Sequence, residues 1–188
     1  MFYLARFLST AQQNPAGVPG FIAQTTGPAK AIFQQIATGA LSPTDGAKAV
    51  LAQAASDMAT QISRLQAAGA KYVLLPMLPD MGTTPYGINN PTAAATLTSL
   101  STNYNSLLQK TVSGAGLNVI PIDVRSVTDE LIKNPAKYGL TNVTTAGCAL
   151  FGAATSELCG SMVTGGDSYM FADQVHPTQA AHQILGNY

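Results

Sequence analysis

Near its C-terminus the chain reads Phe171-Ala172-Asp173-Gln174-Val175-His176-Pro177-Thr178, and it runs on through Gln179-Ala180-Ala181-His182-Gln183-Ile184-Leu185. A carboxylate stands three positions before a histidine. At that spacing Asp173 can fold back and accept from one imidazole nitrogen of His176. The other nitrogen is then left to take up a proton, which gives the base and orienting acid of a nucleophilic triad. Asp-x-x-His also arises by chance, and a histidine at a helix start can merely cap or pack. Pro177 fixes φ and lacks a backbone donor, so it suits the first turn of a helix. The expected geometry is a turn that carries His176 at the mouth of a short apolar helix.

Other residues compete for a role. Asp80 follows the apolar run Lys71–Pro76 and is either a catalytic acid or a brace for its loop. The brace is the preferred reading, because Asp173 already fills the acidic role. Asp123 follows a second apolar run, and helix capping is preferred over a place at a site rim. Asp173, His176 and His182 could in principle hold a metal. The two histidines lie six apart, on different faces of a helix, so no metal and no cofactor is expected. Cys148 and Cys159 lie in a Gly/Ala/Thr-rich stretch without helix or strand pattern. They are two free thiols or a disulfide closing a surface loop, and loop placement favours the disulfide. Such a short loop would gain about 3 kcal/mol from closure entropy, less any strain.

The block Phe-Ala-Asp-x-Val-His-Pro-Thr-x-x-x-His resembles the last block of the SGNH (GDSL-type) serine ester hydrolases. It looks most like their secreted or autotransported bacterial branch. Val73-Leu74-Leu75-Pro76-x-Leu78-Pro79-Asp80-x-Gly82-x-Thr84-Pro85 resembles the same branch. The resemblance implies a three-layer α/β/α flavodoxin-like fold with a parallel sheet. It also implies a Ser-His-Asp esterase or lipase in which Asp173 orients and His176 is the general base. Its substrate would be a small ester or lipid.

The family's oxyanion blocks find no match here, and Met1-Phe2-Tyr3-Leu4 looks like the residues that directly follow one of them. The resemblance therefore implies one domain over residues 1–188, the C-terminal portion of the family domain. The first strands and the nucleophilic Ser would come from an N-terminal segment or a second chain. Gly166-Asp167-Ser168 spells the family's name but sits just before Asp173, with no apolar strand ahead of it, and is not read as the nucleophile. The alternative reading is an inert α/β fragment or binding module.

The elements that must position Asp173 and His176 follow from periodicity. A short helix over Ala29–Thr38 carries Ile32, Phe33 and Ile36. Ser42, Pro43 and Asp45 open a long helix with a stripe of Val50, Ala54, Met58, Ile62 and Leu65, closed by Gly69. Lys71–Pro76 and Leu117–Ile122 read as strands buried on both faces. Thr92–Ser113 reads as the helix between them, with Leu97, Leu100, Tyr104, Leu107, Leu108 and Val112 on its stripe. Residues 11–30 and 134–169 read as loop, and residues 1–10 as the tail of a strand-to-helix element.

The formal net charge is zero and 10% of residues are charged. That leaves no basic patch for nucleic acid and fits an exported bacterial protein, secreted or at the cell surface or periplasm. No apolar run approaches the roughly 20 residues of a membrane span. The first residues lack the basic start and long apolar core of a signal peptide.

Overall fold

The computed structural model describes residues 14–148 and 162–187, together with Thr10. The expectations for residues 1–9 and for Cys159 lie outside the described residues. In chain order the elements are α1 (Val18–Gln24), α2 (Pro28–Ala37), α3 (Pro43–Ala67), β1 (Leu74–Pro76), α4 (Pro85–Asn89), α5 (Pro91–Gly114), β2 (Ile120–Ile122), α6 (Val124–Lys133), β3 (Asn142–Ala146), β4 (Tyr169–Phe171) and α7 (Gln179–Gly186). The molecule is helix-rich α/β with short parallel strands, in line with the expected class. It divides into two compact units, one running to Leu75 plus Thr102–Ile120, the other Pro76–Ser101 plus Pro121–Tyr188. Among the described residues no helix is long and apolar enough to cross a membrane.

In the first unit α3 begins as its sequence requires. Ser42 Oγ accepts the Asp45 N–H at 3.1 Å, and Pro43 fills the first helical position. Gly69, at φ +98°, follows the C-cap and ends the helix. The buried face differs from the expected stripe by about one residue. Ala47, Leu51, Ala55, Ala59 and Ile62 are buried, whereas Met58 and Leu65 are exposed. The larger apolar side chains made one row stand out in the sequence. The buried row is the alanine-rich one, and at its start Gly46 lets a neighbouring helix approach closely. A Cβ on Gly46 would collide with the Ile36 side chain of α2. Phe33 and Ile36 of α2 are buried as expected. The stretch read as loop over 11–30 contains α1, whose seven residues are too few to show a period.

The strands correct a second expectation. The Ile120 N–H donates to Val73 O at 2.9 Å in the first unit, and the Met77 N–H donates to Ile122 O at 2.9 Å in the second. These bonds advance in the same sense along both strands, which is the parallel pattern. Ile120 therefore stands opposite Leu74, and Tyr72, Leu74 and Ile120 share one face. That face is open: Tyr72 is 81%, Leu74 63% and Ile120 44% exposed. Leu75, pointing the other way, is buried. An apolar run without alternation suggested cover on both faces, but in β1 only Leu75 is buried, and in β2 Ile120, Pro121 and Ile122 are all exposed.

The second unit holds a parallel pair missed in the sequence. β3 pairs with β4, Asn142 opposite Tyr169 and Ala146 opposite Phe171, with a register shift between. Neither strand carries a run long enough to show a period, which is why 134–169 read as loop. Val127 and Leu131 of α6, Leu140, Met170 and Phe171 of β4, and Ala181 of α7 form the core beneath. α5 covers Pro91–Gly114 as expected, with Leu97, Leu100, Leu108 and Val112 buried.

Candidate active site

β4 delivers the Asp-x-x-His turn. Phe171 and Pro177 form an isolated antiparallel bridge that closes it. The Ala172 N–H donates to His176 O at 2.7 Å, and the Thr178 N–H donates to Met170 O at 2.9 Å. Both ladder bonds come from residues other than Pro177, so its missing donor costs nothing. The helix starts later than expected. Thr178 is the N-cap, its Oγ1 accepting the Ala181 N–H at 3.3 Å, and the first helical residue is Gln179. Pro177 thus belongs to the base of the turn and not to the helix. A threonine cap, with its side-chain acceptor, outcompetes proline for defining the start.

Within the turn Asp173 uses both oxygens. Oδ1 accepts the N–H groups of Val175 at 2.7 Å and His176 at 2.6 Å. Oδ2 lies 2.6 Å from His176 Nδ1. An ionised carboxylate only accepts, so the proton of this contact sits on Nδ1 and Nε2 carries the lone pair. The Asp173 side chain is 16% exposed and that of His176 66%. Burial pushes the Asp173 carboxyl up. The backbone N–H and ring of His176 and the backbone N–H of Val175 outweigh it, and the group is held below the usual carboxylate range. The result is a fixed acid and an oriented imidazole whose second nitrogen is able to accept a proton.

The competing residues have structural partners. Asp80, almost fully buried, accepts from the Gly82 N–H at 2.8 Å, Thr98 Oγ1 at 2.7 Å and Arg125 Nη2 at 3.1 Å. It braces its loop, as expected. Asp123 caps α6 by accepting from the N–H and hydroxyl of Ser126, which also hold its carboxyl below the usual range. Gly166-Asp167-Ser168 forms a 3₁₀ turn just before β4. Ser168 Oγ donates to Gly165 O at 2.8 Å and lies 2.6 Å from Thr141 Oγ1. His182 Nδ1 lies 2.8 Å from Thr178 O, one turn back. Cys148 is buried, and its backbone forms an isolated antiparallel β-bridge with Met162.

Two further groups reach the site region without a signal in the sequence. The Tyr86 N–H donates to Gln174 O at 2.9 Å, and the Asn89 side-chain amide donates to Gln174 Oε1 at 3.1 Å. Beneath the turn lies an apolar cavity of about 50 Å³, lined by Asp80, Thr84, Leu131, Met170, Val175 and Pro177 among others.

Residues 23–188 match the family profile of the GDSL-like Lipase/Acylhydrolase proteins. An uncharacterized protein from the trpE-trpG intergenic region of Pseudomonas putida is 31% identical over 152 residues, covering 78% of this chain and 25% of that protein. The GDSL esterase/lipase APG of Arabidopsis thaliana is 30% identical over 145 residues, covering 69% and 41%. Esterase EstA of Pseudomonas aeruginosa is 32% identical over 136 residues, covering 63% and 19%. The chain thus spans less than half the length of these curated relatives. With its terminal Asp-x-x-His turn inside the matched region, the chain belongs to the GDSL-like lipase/acylhydrolase family.

Proposed function

We propose that this chain carries the base and orienting acid of a carboxylic ester hydrolase, with Asp173 and His176 as two members of a Ser-His-Asp triad. The observation that carries the reading is the short contact between Asp173 Oδ2 and His176 Nδ1, on a histidine side chain that is two-thirds exposed. A serine hydroxyl attacks the ester carbonyl while His176 Nε2 takes its proton. Asp173 steadies the imidazolium that forms. The imidazolium returns the proton to the departing alkoxide, leaving an acyl-enzyme. Water then attacks the acyl group by the same proton path and releases the acid and the serine.

The nucleophile is proposed to lie on a segment outside residues 1–188 or on a second chain, with residues 1–188 forming the C-terminal portion of the family domain. Three observations support this. The hydroxyl of Ser168 is tied to Gly165 and Thr141. The relatives are longer than the chain. The sheet face of Tyr72, Leu74 and Ile120 is open, whereas parallel sheets are ordinarily covered on both faces. The substrates proposed are small esters or lipids. A Cys148–Cys159 disulfide and a secreted or surface location are proposed together, since both belong to an oxidising compartment.

The test is hydrolysis of short-chain p-nitrophenyl esters by the polypeptide that carries this sequence with its upstream segment. Turnover abolished by His176→Ala supports the reading. Turnover indifferent to His176→Ala, or no turnover, leaves the inert binding module as the better account.

A further inference from the structure

Asp173 and His176 hold each other through contacts no more than three residues apart. Such a turn keeps its internal geometry yet can swing as one piece about its base. The Phe171–Pro177 bridge fixes that base, together with the Cys148 N–H, which donates to Ala172 O at 2.9 Å; neither reaches the tip of the turn. Gln174 provides the second attachment. Its carbonyl accepts the Tyr86 N–H and its side-chain oxygen accepts from Asn89, 85 residues away in the chain. Tyr86 and Asn89 are three apart on the single-turn helix α4, so they lie on the same side of it.

α4 is itself held firmly. Its cap Thr84, 2% exposed, donates to Met81 O at 2.8 Å and accepts the Gly87 N–H at 3.3 Å. Gly87 packs so tightly on the Gly82 backbone that a Cβ there would collide with it. Gly82 is in turn bonded to Asp80, which Arg125 and Thr98 hold. A continuous braced path therefore runs from Arg125 through Asp80 and α4 to the residue next to Asp173.

We propose that Asn89 and Gln174 form a latch that positions the Asp173–His176 pair, acting through the turn and not on substrate. A triad needs its base held to within about half an ångström of the productive geometry, and a turn attached at two separated points cannot swing as one attached at its base can. The inference rests on the triad reading for its catalytic meaning, but its structural content can be tested apart from it.

The variants are Asn89→Ala, Gln174→Met, which keeps length without an acceptor, and Gln174→Glu, which keeps the acceptor. Asn89 is exposed, so its truncation does not threaten folding. The first readout is NMR on this chain: the carboxyl titration of Asp173 and solvent exchange of the His176 Nδ1 proton. Asn89→Ala and Gln174→Met are each expected to move the Asp173 titration upward toward an ordinary carboxylate and to speed the exchange about fivefold. The double variant is expected to do no more than either single one, and Gln174→Glu to stay near wild type. In the ester-hydrolysing polypeptide Asn89→Ala and Gln174→Met each lower kcat about fivefold with KM unchanged, and Gln174→Glu does not. Variants that lower only the melting temperature, with titration and exchange unmoved, overturn the latch. NMR changes without any esterase activity in the wild-type polypeptide would uphold the latch and overturn the triad reading instead.

Discussion

Asp173 grips His176 twice: one carboxylate oxygen accepts the main-chain N–H of His176 at 2.6 Å and the other meets its ring Nδ1 at 2.6 Å. The acid thereby fixes both where the histidine stands and which nitrogen carries its proton. Removing the charge while keeping the shape separates these roles. Asp173→Asn keeps an oxygen for the main-chain bonds but offers no anion to the imidazolium. In the ester-hydrolysing polypeptide it is expected to lower kcat by roughly a thousandfold or more, with a smaller effect on KM. Steady-state kinetics on short acyl esters measures it.

The same contacts make a pH prediction. The Asp173 carboxyl, pushed up by burial, is pulled further down by its bonds to His176 and Val175, so its folded pKa lies below the ordinary 3.8. A depressed carboxylate contributes stability that is fully present above the unfolded value and is lost as pH falls through the folded one. Wild-type stability should therefore drop more steeply below about pH 4 than that of Asp173→Asn. Urea midpoints over pH 2 to 6 read it directly. Parallel curves for the two proteins would refute the assignment.

Asp80 is a buried anion whose ionic partner is Arg125, at 3.1 Å. Arg125→Met strips that partner and leaves the charge in place. The expected loss is about 2–3 kcal/mol, below that of a fully buried pair because Arg125 is one-third exposed. Adding Asp80→Asn should recover part of it, since the buried charge is then gone. Denaturant midpoints of the single and double variants give the coupling.

Gly87→Ala tests the close approach of α4 to the Gly82 backbone. The added methyl meets main-chain atoms that cannot rotate away. A destabilisation of about 1–3 kcal/mol is expected, even though alanine is the better helix former. Thermal denaturation distinguishes the two effects by sign.

The proposed disulfide predicts thiol chemistry. Iodoacetamide should add nothing to the denatured, unreduced chain and two groups after reduction, one for each cysteine in the sequence. Intact mass measures both states.

The Asp173–His176 contact was legible in the sequence. Asp-x-x-His is a local relationship: three residues of chain bring the carboxylate back to the imidazole, and no distant contact is needed to form it. The caps at Ser42 and Asp123, the stop at Gly69 and the span of α5 were legible for the same reason, since each depends on neighbours a few positions away. The brace at Asp80 was anticipated in role, but its partners Arg125 and Thr98 lie far along the chain and left no mark beside it.

What the amino-acid order determined by itself was the contact between Asp173 and His176 and the placement of helices whose signals are local. Only the tertiary structure decided which face of α3 is buried, because its alternative rows of apolar residues fit the same period. It also decided that β3 and β4 exist, since strands of three to five residues gain their hydrogen bonds from each other and not from their own sequence. And it decided that Tyr72, Leu74 and Ile120 stand open and that Gln174 meets Asn89. Burial and long-range hydrogen bonds are properties of what the rest of the chain brings alongside, and no local pattern encodes them.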